Sequence, residues 1–203
     1  MSVALPSDRT IADGCHDGRM TAITDRYRTR ADAFEAKVAA VRPEDWSNPS
    51  PCVEWTARDV VDHVVDVHAM MLNPLGTGLS AGPSATDDPL GAFRSARADL
   101  QRVLEDPDLA DTEYDGLFGR TRVADTVDRF LGFDLVVHGW DLARATGQDA
   151  TMPDDEVDRL LGFVEQMGSA TMRENGVTGP EVQVPASAPK QDRLLGLLGR
   201  DPG

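Results

Sequence analysis

Apolar residues recur at helical spacing in four long stretches of the chain. Over residues 20–41, Ile23, Tyr27, Ala31, Phe34, Val38 and Val41 mark one face, and Pro43 stops the run. Over residues 57–72, Val60, Val64, Val67 and Met71 stand at i, i+4, i+7 and i+11. Thr56 and Asp59 form a T-x-x-D capping box ahead of that stripe. Residues 89–105 turn Phe93, Ala96, Leu100 and Leu104 inward, and residues 124–146 carry Val127, Phe130, Leu131, Leu135 and Leu142 up to a stop at Gly147. Behind Pro153 a fifth helix is expected over 154–174, its first turn holding Asp154, Asp155 and Glu156 at the positive end of the dipole.

Polar, unpatterned segments separate these stretches. Residues 1–19, which include Cys15 and His16, mix small and charged side chains without periodicity and read as a disordered tail. Residues 73–88 form a Gly/Pro/Ser loop long enough to suggest a use such as covering a site. The turn-rich segment after residue 105 has weak strand potential at 114–123, read as irregular or a short hairpin. Residues 176–203 form a Pro-punctuated arm ending in a short amphipathic helix at 192–198. The pattern predicts an all-α protein: a helical bundle over 20–175, with extra C-terminal helices packed on it.

Composition narrows the partners. The chain has 203 residues, enough for one domain with a substantial core, and a formal net charge of -15 from 20 basic and 35 acidic residues. That charge repels phosphate backbones and anionic bilayers, so neither nucleic acid nor membrane is expected as a partner. Two cysteines, Cys15 and Cys52, are too few for a disulfide framework, and neither a signal peptide nor a long apolar span is evident. A cytoplasmic protein fits. Only Lys37 and Lys190 are lysines, a bias that suggests a GC-rich genome. No heptad seam demands an oligomer, though apolar helix edges leave room for a homodimer.

The segment FDLVVHGWDLARATG, residues 133–147, changes the picture. At about 100° per residue, Asp134, His138 and Asp141 fall within roughly 60° of one another, in the same sector as the apolar stripe. A buried lone carboxylate costs several kcal/mol or takes up a proton, so a counterweight is needed, and a divalent metal supplies one. His63 lies at the edge of the 57–72 stripe, whereas His68, about 140° away, cannot share its site and is expected exposed or at a helix edge. One imidazole from that helix, with a carboxylate and an imidazole at i and i+4 on the fourth, makes a 2-His-1-carboxylate set with open positions. Asp134 with His138 equally suits a plain buried hydrogen-bonded pair. Cys52 is expected as a buried structural cysteine rather than a thiol beside the metal. Trp55 and Trp140 are expected as packing residues, and Arg144 as a solvated helix-end cation.

PSPCVEWTARDVVDHVVDVHAMM, followed some seventy residues later by FDLVVHGWDLARATG, resembles the actinobacterial metal-binding proteins related to the N-terminal domain of mycothiol-dependent maleylpyruvate isomerase, in the wider DinB-like superfamily. The resemblance covers about residues 20–200, including the closing PKQDRLLGLLGRDP. It implies a DinB-like four-helix bundle with one divalent ion, zinc or nickel first, held by His63, Asp134 and His138. Asp134 departs from the pattern, since the isomerase has glutamate there and many DinB-like proteins histidine. Asp141 is then expected to orient His138.

The resemblance also implies mycothiol as cofactor or co-substrate, and a small electrophile as its partner in thiol transfer or thiol-assisted isomerisation. No residue is assigned a catalytic role. The isomerase carries a further C-terminal domain that this chain replaces with a short arm, so maleylpyruvate is not the expected substrate. A metal-dependent hydrolase and a non-catalytic metal-binding module are the alternatives.

Overall fold

The computed structural model describes residues 8–116 and 118–203. Helix α1 spans Asp8–Ala39, α2 Ala57–Leu72 and α3 Pro89–Glu105. After a single-turn α4, Pro107–Ala110, strands β1, Glu113–Gly116, and β2, Gly119–Arg122, pair antiparallel with Glu113 opposite Arg122. The fourth long helix is continuous but changes winding: α5, Val123–Thr126, passes through a π turn, Val127–Leu131, into α6, Gly132–Thr146. The C-terminal helices are α7, Asp154–Met167, α8, Ser169–Glu174, and α9, Lys190–Leu197.

The architecture is the predicted helical bundle, and one hairpin is the sole sheet among the described residues. Helices α1 and α2 each pack against both α3 and α6, which sets α1 and α2 at opposite corners of a square. The stripes read from periodicity fill the centre: Tyr27 and Phe34 of α1, Val60 and Val64 of α2, Phe93 and Leu100 of α3, and Leu135 and Leu142 of α6 are all at most 2% exposed. Burying an aliphatic or aromatic side chain of this kind contributes about 1.5–3 kcal/mol. Thr56 caps α2 as expected, its side chain accepting from the Asp59 N–H while the Asp59 carboxylate accepts from the Thr56 N–H.

Helix α6 is apolar on two sides because it serves two cores. Leu135 and Leu142, with Leu131 of the π turn, face the bundle, whereas Phe133, Val137 and Trp140 join Val157, Leu160, Val164, Leu194, Leu195 and Leu198 beneath the C-terminal helices. Trp140 is therefore a packing residue, as expected, and the C-terminal helices lie on the bundle.

Two boundaries depart from the sequence reading. Helix α1 starts at Asp8, so residues 8–19 of the expected tail are helical and residues 1–7 lie outside the described ones. The helix expected over 154–174 breaks at Gly168, whose φ of 78° suits glycine alone and turns α8 away from α7. Among the described residues, no helix is long and apolar enough to cross a membrane.

Candidate metal centre

Helix α2 presents His63 and helix α6 presents Asp134 and His138, and the α2–α6 packing brings the three together. One Asp134 oxygen lies 3.8 Å from His63 Nε2 and the other 4.0 Å from His138 Nε2. The ring centroids of the two histidines are 4.8 Å apart, and one donor atom from each of the three residues lies within 4.8 Å of the others. These separations are too long for hydrogen bonds and slightly wider than the ~3.4 Å between donors around a tetrahedral ion with bonds of about 2.1 Å. No hydrogen-bond donor sits on the Asp134 carboxylate among the described residues. Two imidazoles and a carboxylate converging without bonding one another suit a divalent cation by geometry and by donor chemistry.

The neighbours of His138 sharpen the fit. His138 Nδ1 lies 2.9 Å from Asp141 Oδ2, and Asp141 is fully buried. Burial alone would push the Asp141 carboxyl up, yet the bonds from His138 and Arg200 hold it down at about 2. A carboxylate only accepts, so Nδ1 carries a proton, and in the neutral ring the lone pair is on Nε2, the nitrogen toward Asp134. Asp141 thus bonds the ring nitrogen of His138 that faces away from Asp134 and His63. Trp55 flanks both rings, at 4.8 Å from His63 and 5.8 Å from His138, so it shapes the site besides packing.

Arg200 had no role in the sequence reading. Its Nε donates to Asp141 Oδ1 at 3.2 Å and its Nη2 to Oδ2 at 2.9 Å, while Nη1 caps the Leu198 carbonyl. The close approach of residues 179–180 to Gly199 brings this arginine in. Gly199 has φ 80°, and a Cβ there would sit 2.8 Å from the Gly179 carbonyl carbon. A cation following the apolar run LLGLLG was the available signal.

Cys52 is half-buried, with Sγ 3.3 Å from Asp141 Oδ2 and 3.5 Å from Arg200 Nη2. Burial first, then the Asp141 charge, raises its thiol to about 12. Cys52, His138 and Asp141 also lie close enough to share an ion, but the Arg200 guanidinium already supplies the positive charge there. The cysteine accordingly stands closer to the centre than expected of a structural residue.

Three further expectations resolve. His68 is fully buried rather than exposed, because α2 packs on both sides. Its Nδ1–H donates to the Val64 carbonyl at 2.7 Å, and its Nε2 accepts from the Tyr27 hydroxyl at 3.1 Å. Arg144 is exposed near the end of α6, over the Trp140 ring. The 73–88 loop does not line the cavity beside the triad. It folds over α2 and α3 instead, where Ser80 donates twice to Asp99 and Arg58 holds the Ala85 and Thr86 carbonyls.

That cavity, of about 920 Å³, has His63, Asp134 and His138 in its wall. The β1–β2 hairpin, the π turn and residues 176–180 and 198–200 form much of the remainder. The π turn ends three residues before Asp134, and such turns inside α-helices are frequent at functional sites.

Residues 27–143 match the family of the mycothiol maleylpyruvate isomerase N-terminal domain, a span that includes His63, Asp134, His138 and Asp141 and ends before Arg200. Two Mycobacterium tuberculosis proteins, from strains CDC 1551 / Oshkosh and ATCC 25618 / H37Rv and both described as uncharacterized, are each 30% identical over 178 residues, covering 86% of this chain and 95% of the relative. No solved structure matches. With more than half its length matched to the domain and relatives aligned over most of the remainder, the chain belongs to the mycothiol maleylpyruvate isomerase N-terminal domain family.

Proposed function

We propose that this chain holds one divalent ion, zinc or nickel, through His63, Asp134 and His138. With it the protein transfers a low-molecular-weight thiol of the mycothiol type to an electrophilic small molecule, or isomerises such a molecule by reversible thiol addition. The observation that carries this reading is the freed Nε2 of His138, facing Asp134 and His63 on the wall of a cavity large enough for two small ligands. Bound there, the ion supplies a Lewis acid that keeps a coordinated thiol deprotonated at neutral pH.

The chain's own groups do the remainder. His63, Asp134 and His138 would hold the ion from the cavity wall, and three protein ligands would leave room for a thiol. The thiol proton goes to water; the sulfur lone pair forms the C–S bond; and in transfer the leaving group departs with its electron pair. In isomerisation the same C–S bond breaks after rotation of the substrate and the thiol is regenerated. Cys52, raised to about 12, stays protonated near neutral pH and is no rival nucleophile.

A hydrolase would need a general base beside the attacking water. Among the described residues lining the cavity, the carboxylates and imidazoles are Asp134, His63 and His138, all occupied as ligands in this reading. That favours thiol chemistry.

Metal analysis of the purified protein, followed by thermal shift with mycothiol, bacillithiol and glutathione, tests the proposal. One equivalent of metal and stabilisation by one thiol, both lost in His138→Ala, are expected. A protein without metal, or with a fully coordinated ion and no thiol response, refutes it. Asp141→Asn is expected to weaken metal binding about 10–100-fold in a chelator competition, because the hydrogen bond that orients His138 loses its charge.

A further inference from the structure

The exposed apolar residues of this protein converge. Among the described residues five large hydrophobic side chains are left exposed, and four of them, Val53, Met70, Phe118 and Val177, line the one cavity beside the triad. Isolated exposed hydrophobics scatter over ordinary surfaces, whereas a contiguous group around a concavity marks a binding surface. The rings behind them are ordered for flat contact: Phe118 stacks on Phe130 at 5.5 Å and 10°, and Phe163 meets Phe130 edge-on at 5.6 Å. Phe133, next to Asp134, packs on Phe163 at 5.5 Å, so the aromatic wall reaches the metal centre along α6.

A charge accompanies the apolar wall. Arg129, beside Phe130 in the π turn, lines the same cavity and is exposed. It has no acidic partner among the described residues, although the chain holds 35 acidic against 20 basic side chains. Arg120 and Arg200, the other arginines of the wall, are ion-paired to Glu113 and to Asp141. A guanidinium left unpaired in so acidic a protein, next to an aromatic wall, is a seat for a carboxylate.

We propose that the cavity binds an amphiphilic acid, with its apolar body against Phe118, Phe130, Phe133 and Met70 and its carboxylate on Arg129. This deepens the function proposed above by naming the chemical class of the electrophile, and it rests on that reading for the reaction though not for the binding.

Calorimetric titration of the full chain, freed of metal by chelation and without thiol, tests the binding with 2-naphthoate and dodecanoate and their uncharged counterparts 2-naphthol and dodecanol. Saturable one-to-one binding of at least one acid is expected, with its alcohol bound about tenfold more weakly. Arg129→Gln is expected to abolish that preference, and Phe118→Ser, at an exposed position, to weaken acid and alcohol alike about fivefold. The naphthoate and dodecanoate arms decide between an aryl and an acyl body. Binding of neither acid, a preference that survives Arg129→Gln, or an affinity unmoved by Phe118→Ser overturns the proposal. Since no metal or thiol enters this titration, its failure is distinct from a failure of the thiol response.

Discussion

Arg200→Met is expected to destabilise the protein by about 3–5 kcal/mol, the usual consequence of removing one partner from a buried ion pair. Asp141 has no exposed side-chain surface and Arg200 only 10%, so little water reaches the carboxylate left behind. In the native protein two guanidinium bonds and one from His138 keep that carboxyl at about 2, below its ordinary 3.8. The native arrangement therefore contributes stability above about pH 3.8 that is lost as pH falls toward 2, and without Arg200 much of that contribution is missing near neutrality. Urea denaturation at pH 7 measures the effect. A loss below about 1 kcal/mol would show the pair to be solvated and of little weight. The double variant Arg200→Met/Asp141→Leu separates charge from packing. It is expected to recover most of the stability, since an apolar pair of similar volume replaces the buried ions, while metal affinity stays low because His138 has lost its acceptor.

Arg200 also shows where sequence pattern stops. The positions that became the bundle core announced themselves by a 3.6-residue repeat, and the same repeat put His63, Asp134, His138 and Asp141 on identifiable faces of their helices. Helix α2 was legible end to end because its capping box is local. A period, however, tells which side chains share a face and not what covers it. His68 stood off the main stripe of α2 and read as exposed, but α3 and Tyr27 of α1 close over that side, 41 residues away in sequence for Tyr27. Arg200 reaches Asp141 across 59 residues, and Cys52 reaches it across 89. Contacts that distant leave no periodic trace. The hairpin is equally quiet, with four-residue strands of mixed exposure that give period-two alternation little room to register. The 73–88 loop misled because its length implied a cover for a site, whereas its hydrogen bonds to Asp99 and Arg58 dock it on α2 and α3. Recognition of the family placed the candidate metal centre, and the geometry added Arg200, which lies outside the matched residues on the arm expected at 176–203.

Stability is expected to fall by about 3 kcal/mol as pH drops from about 6.5 to about 4, through His68 alone. Burial, opposed by the Val64 carbonyl bond, depresses this imidazole from 6.5 to about 4. Above 6.5 the ring is neutral in folded and unfolded chains, and it contributes no slope. Between the two values the unfolded chain takes up a proton that the folded chain refuses, so each pH unit lost weakens folding by about 1.4 kcal/mol. Below about 4 both states are protonated and the slope from this residue ends. The refusal comes from burial: the ring has no exposed surface, Nδ1 donates to Val64, Nε2 meets the Tyr27 hydroxyl and Phe93 stands edge-on at 5.5 Å, so a charged imidazole there would give up its water. His68→Phe keeps the volume and removes the titration. Comparing the pH dependence of each protein, rather than absolute stabilities, cancels whatever packing the phenylalanine disturbs. The variant should lose most of the wild-type decline between pH 6.5 and 4.5, and equal declines in the two proteins would show that His68 is protonated inside the fold.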